Sequence, residues 1–425
     1  MPTFTEPPKR WHGGEECPNE IIASQVPRGI KMQTIYAALL KCPNITTLKI
    51  RGVWHTGGCV ITENPYWMSF PFDHLGQDRF PSRLEVLTLD GYMSDELGGP
   101  QTATQWYYSR LPWWADGNKV DRTMLCGVQS TKTSMERWVE AMDFSKLHTL
   151  NFIHEGGEAY SLTETVAKVL PSRLPNLRKL SLYYRVGQKF ILGLPQNSLH
   201  HLAWRNAWQR SQWDHPALPS PLIPVLRRQG ASLKSFYFHT DETQKASAPV
   251  LTICEIRRLV ELAPNIQSLV IDLRRSNSSG MCDWPWDELK VMAEGLPELV
   301  DLTVYFDLVV DVGRAGIAKP KVDQDAAVEI SQFLWKYKAG KPLHRLTLRA
   351  GDWGTQEQYG MMGPPWFAEK RAQARCTVVD EAAHVDSLGP IWCEAWQTKL
   401  DGYSSIFSPG AKLEWEDRFL DPFFR

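Results

Sequence analysis

An apolar residue, two variable positions, a second apolar residue, one variable position and a third apolar residue form a line that recurs along the chain. "LPNLRKLSLYYR" (174–185), "APNIQSLVIDLR" (263–274) and "LPELVDLTVYFD" (296–307) show it most plainly. The triplets are Ile45/Leu48/Ile50, Leu84/Leu87/Leu89, Leu147/Leu150/Phe152, Leu177/Leu180/Leu182 and Leu199/Leu202/Trp204. Four more follow: Leu233/Phe236/Phe238, Ile266/Leu269/Ile271, Leu299/Leu302/Val304 and Leu343/Leu346/Leu348. In each line the last two apolar residues alternate with variable ones, as on a short strand with one buried face.

Helical spacing fills the intervals. Ile256, Leu259, Val260 and Ala263 recur at three and four residues, as do Ile330, Phe333, Leu334 and Tyr337. Thr252 with Glu255, Ser161 with Glu164 and Thr133 with Glu136 have the capping-box spacing that satisfies free backbone N–H groups at a helix start. Strand and helix therefore alternate, which predicts an α/β protein with parallel strands and helical crossovers. Strands covered on both faces read as continuous Val/Ile/Leu runs. Here the alternate positions are Lys179, Ser181 and Tyr183, then Asp301, Thr303 and Tyr305, so one sheet face stays open. The expectation is an open, right-handed solenoid shaped as a horseshoe, strands on its concave face and helices on its convex face.

In these lines the chain resembles the leucine-rich repeat family over roughly residues 30–350. The rest of that family's consensus is missing: Arg185 and Tyr305 stand where it would place Asn or Cys. First-apolar positions 199, 233, 266 and 299 are nearly even, whereas 84 to 147 is a wide gap. The long, divergent repeats are similar to those of fungal F-box-type proteins. The organisation expected is an N-terminal cap or extension (1–30), a repeat array (31–350) with an insertion at 91–143, and a C-terminal capping segment (351–425). The insertion contains "QWYYSRLPWWADG", too long for a simple connection. The tail abandons the repeat line and carries many aromatics, as suits a cover for the last repeat.

Composition narrows the function classes. With 43% hydrophobic and 22% charged residues the chain can build a substantial core. A formal net charge of −1 gives no global pull toward nucleic acid or anionic lipid. No apolar run is long enough to cross a bilayer, and the start lacks the apolar core of a signal peptide. The eight cysteines are scattered without a close pair, which reads as no disulfide framework and a reducing, cytoplasmic or nuclear compartment.

Motifs for catalysis are missing: the sequence has no phosphate loop, dinucleotide fingerprint, nucleophile elbow or zinc helix. "HEGGE" (154–158) has the wrong spacing for a metalloprotease helix, and His200 and His201 on one strand point to opposite faces. No catalytic residue, metal site or cofactor is assigned. The open sheet face remains, and Tyr and Arg are the residue types most enriched at protein-binding hot spots. The candidate partner-binding residues are Tyr183, Arg205, Tyr237, His239, Asp272 and Tyr305. The expected function is a non-enzymatic scaffold that recognises a partner protein, with neither nucleic acid nor membrane as partner. The resemblance implies a ubiquitin-ligase substrate receptor and ligase components as partners. In that family an N-terminal F-box docks the adaptor; "CPNEII" (17–22) resembles its opening, but the stretch before Ile45 is too short for a recognisable F-box. The alternative is an enzyme with an unfamiliar site in the 91–143 insertion or the C-terminal segment.

Overall fold

A computed structural model describes residues 20–24, 39, 42, 44–51, 83–90, 92, 133–153, 162–207, 220–240, 249–275, 283–306, 322–350, 372–378 and 391–397. The chain divides into two units, Met1–Ser198 and Leu199–Arg425.

In the first unit the apolar lines become strands in chain order. They are β1 (Glu20–Ser24), β2 (Thr47–Arg51), β3 (Val86–Asp90), β4 (Thr149–Ile153) and β5 (Lys179–Tyr183), each parallel to the one before. The register holds Leu48, Leu87, Leu150 and Leu180 in one row. Helices α1 (Ser134–Ala141) and α2 (Glu164–Val169) precede β4 and β5, and α3 (Val186–Gly193) follows β5. Neighbouring helices pack on one another, α1 on α2 and α2 on α3. With the strands in consecutive order, that contact places the crossovers on one face of the sheet.

The second unit repeats the plan with β6 (His201–Arg205), β7 (Ser235–His239), β8 (Ser268–Leu273), β9 (Asp301–Phe306) and β10 (Arg345–Ala350), all parallel. Between them run α4 (Leu222–Gln229), α5 (Ile253–Leu262), α6 (Trp286–Gly295) and α7 (Gln324–Tyr337), again each on the next. The fold class is α/β: an open, mostly parallel sheet in each unit, with consecutive strands and alternating helices, as in a leucine-rich-repeat-like solenoid. The lines at 177–182, 266–271 and 299–304 contain parallel strands, as their alternation predicts. Every residue of the nine apolar triplets is at most 2% exposed.

The repeats are stitched by a backbone ladder at the strand entrances. The carbonyl just ahead of one strand accepts two successive amides of the next repeat: Thr46 O from Glu85 and Val86, Lys234 O from Gln267 and Ser268, Gln267 O from Val300 and Asp301. Side chains add to it. Asn176 Nδ2 donates to Ser145 O at 2.7 Å, and Asn265 Nδ2 to Ala231 O at 2.9 Å, each one residue ahead of its line's first leucine or isoleucine. At the end of α7, Lys338 Nζ donates to Leu296 O and Pro297 O. Burial pushes its amine down to about 8, against the raising effect of Glu298. Gly340 follows at φ +75, where a side chain would run into Pro297.

Two expectations are revised, and two segments outside the nine apolar lines supply strands. The capping boxes at Thr133 and Thr252 are formed, but the N-cap of α2 is Thr163, whose hydroxyl accepts from Val166 N; Glu164 is therefore the first helical residue, and Ser161 lies outside the described residues. The end of the F-box-like stretch, Glu20–Ile22, lies in β1, where Ile21 pairs with Leu48 of β2 in parallel register. The tail supplies β11 (Ala372–Val378) and β12 (Ile391–Gln397), antiparallel to β10 and to each other. Finally, three of the scattered cysteines are in disulfides. Cys376 and Cys393 stand directly opposite on β11 and β12, Cα atoms 4.1 Å apart, and are disulfide-bonded; Cys42 is disulfide-bonded too. Sequence distance hid a bond that strand register makes. The argument for a reducing compartment falls with it. No helix among the described residues is long and apolar enough to cross a membrane.

Candidate functional site

Alternation along β6–β10 sends Phe236, Phe238, Leu269, Ile271, Leu302 and Val304 into the helix-side core and their neighbours to the other face. Parallel in-phase register then lines those neighbours into rows. One row reads Ala203, Tyr237, Val270, Thr303, Thr347; the next reads Arg205, His239, Asp272, Tyr305, Arg349. Five of the six residues expected at the site, Arg205, Tyr237, His239, Asp272 and Tyr305, meet here. The sixth, Tyr183, lies on β5 in the first unit, its ring 6.1 Å from that of Tyr184.

Asp272 is the anchor. Its Oδ1 is 2.5 Å from His239 Nδ1, and its Oδ2 accepts the Thr240 amide at 2.7 Å. A carboxylate and an imidazole this buried, with side chains 6% and 8% exposed, require such partners. The His239 ring stacks on Tyr305 with centroids 3.8 Å apart and meets Tyr237 edge-on. Arg205 lies over the Tyr237 ring at 4.9 Å, and Arg349 over Tyr305 at 5.5 Å, both within cation–π range. Arg349 Nη1 also donates to the Tyr305 hydroxyl at 2.6 Å, and its Nε donates to Gln373 on β11 at 3.0 Å. Asn206, at φ +53, directly follows β6 and donates its amide to His239 O, holding the edge of the cluster.

The burial differs from the expectation of an open row. Tyr237, Asp272, Tyr305 and His239 are 2–7% exposed, whereas Arg205 and Arg349 are only half-buried. Ala203, Tyr237, Val270 and Tyr305 form a small apolar cluster of their own. Sequence reasoning missed Ala203 and Val270 as members, although their apolar character at alternate positions was a usable signal. It also missed Gln373, which sits on a strand that carries no repeat line. Among the described residues no group of three His, Cys, Asp or Glu side chains could hold a metal ion. A His–Asp pair is also the base-and-orienter half of a nucleophilic site. Here the imidazole is stacked against Tyr305 and the carboxylate is engaged by Thr240. His154, Glu155, Glu158, nearly all of the 91–132 aromatic segment, and residues 351–371 and 398–425 fall outside the described residues.

No protein-family model matches the chain, and no curated protein matches it either.

Proposed function

We propose that the chain is a non-enzymatic scaffold that recognises a partner protein on the sheet face opposite the helices of its second unit. The observation that supports this reading is the network running from Arg205 through Tyr237, His239, Asp272 and Tyr305 to Arg349, which joins five adjacent strands. Side chains fixed by one another lose little freedom on binding, so contact energy is not spent on ordering them. The buried members act as the rigid floor, and the half-buried Arg205 and Arg349 are the groups that reach a partner. A ubiquitin-ligase substrate receptor is one form that such a scaffold takes in the family it resembles.

The test is affinity capture with the intact chain, followed by Arg205→Ala. That change should weaken the captured partner at least fivefold, equivalent to about 1 kcal/mol at a binding hot spot. Arg257→Ala, on the exposed face of α5, should leave capture unchanged. If Arg257→Ala abolishes capture and Arg205→Ala is silent, the recognition surface lies elsewhere. An adaptor–cullin pair in the captured material would single out the ligase form.

A further inference from the structure

The antiparallel register of β11 on β10 brings three arginines to one corner of the same face. Arg345, Thr347 and Arg349 alternate along β10 away from the core, and opposite them on β11 stand Thr377, Arg375 and Gln373. Ala374 and Cys376, buried at 0% and 2%, mark the other side of that strand and fix the assignment. Arg375 faces Thr347 and is diagonal to both Arg345 and Arg349, at the roughly 7–8 Å separation of diagonal pairs, within reach of long side chains.

Arg345 is held by Asp301, Nε to Oδ1 at 3.1 Å and Nη2 to Oδ2 at 3.4 Å. Arg349 spends its Nε and Nη1 on two neutral oxygens, of Gln373 and Tyr305. Arg375 Nε is buried and has no hydrogen-bond partner. Glu394 is the backbone partner of Arg375 in the β11–β12 register. Leaving a buried guanidinium donor unsatisfied costs free energy, and guanidiniums gathered in one corner repel each other. An oxyanion removes both costs, because the planar fork of arginine matches carboxylate and phosphate oxygens. Tyr305 strengthens the match: its hydroxyl accepts from Arg349, which leaves its own proton to donate.

We propose that the β10–β11 corner, centred on Arg375 with Arg349 and Tyr305 beside it, is a binding subsite for an oxyanion, a carboxylate or phosphate group. It needs no oxidant, metal or cofactor. The recognition reading above enters only in naming what carries the anion, an acidic or phosphorylated side chain of the partner. The subsite itself stands on the corner's geometry.

The experiment follows the arginine Nε–H resonances of the intact chain during titration with inorganic sulfate, against chloride at equal ionic strength. Arg375 and Arg349 should shift and saturate with sulfate and stay still with chloride. Arg375→Gln should weaken the response at Arg349 at least tenfold, while Arg257→Gln leaves it intact. Equal responses to sulfate and chloride, or an Arg349 response that survives Arg375→Gln, overturn the proposal. Parallel titrations with acetate and inorganic phosphate tell the two sources apart, since saturation by either at this corner supports the subsite and identifies its preferred anion. Loss of partner capture in Arg205→Ala with sulfate binding intact separates the recognition reading from the subsite. If Arg205→Ala leaves capture intact while sulfate still saturates the corner, the recognition reading fails and the subsite stands.

Discussion

Replacing Asp272 by Ala tests whether the face is a prebuilt floor. The carboxylate accepts from His239 Nδ1 and the Thr240 amide, and its side chain is 6% exposed. Each buried donor stripped of its acceptor costs about 1–3 kcal/mol, more when the lost acceptor is a carboxylate, and Asp272→Ala strips two. Asp272→Ala should therefore lose about 3–5 kcal/mol by urea titration. Asp272→Asn, which keeps the shape and one acceptor oxygen, should lose about 1–3 kcal/mol. The same physics sets a sign: Asp272→Leu combined with His239→Leu removes both partners and should be less damaging than Asp272→Ala alone. Hydrogen exchange at the Thr240 amide reports the site directly, because that N–H donates to the Asp272 carboxylate. Its exchange should accelerate in Asp272→Ala. If Asp272→Ala stays within about 0.5 kcal/mol of the parent and Thr240 exchange does not move, the pair is solvated and the network argument fails.

Three further outcomes follow from the packing. Leu269, fully buried between Phe236 and Leu302 in the register, should cost about 2–5 kcal/mol when cut to Ala; an unchanged urea midpoint would place it outside the core. A methyl group at Gly295 collides with Val260 where α6 crosses α5, so Gly295→Ala should destabilise by about 1–3 kcal/mol and Val260→Ala in the same chain should recover most of it; failure of that rescue refutes the close approach. In native alkylation the exposed Cys254 should react, while Cys376 and Cys393 should stay unlabelled even in denaturant until a reductant is added; labelling without reductant excludes the β11–β12 disulfide.

The sequence by itself determined the strands, their inward side chains and the alternation with helices. A period-two pattern inside a line and a helical period between lines are local signals, and each buried residue announces its own face. Leu269 could be placed inward from its neighbours alone, and Thr252 with Glu255 marked a helix start because capping uses residues three apart. That the second row gathers Arg205, His239, Asp272 and Tyr305 was also legible, since in-phase repeats stack equal positions. Only the tertiary structure decided what those residues do to each other. The stacking of His239 on Tyr305 spans two strands, so it depends on side-chain lean across Asp272, which no spacing encodes. β1 escaped notice because Glu20–Ser24 carries only the end of the apolar line, and its partner β2 supplies the register that makes it a strand. β11, β12, Gln373, Arg375 and the Cys376–Cys393 bond were hidden for a related reason. Antiparallel pairing outside the repeat sets which residues face one another, and that is a long-range contact without a local pattern.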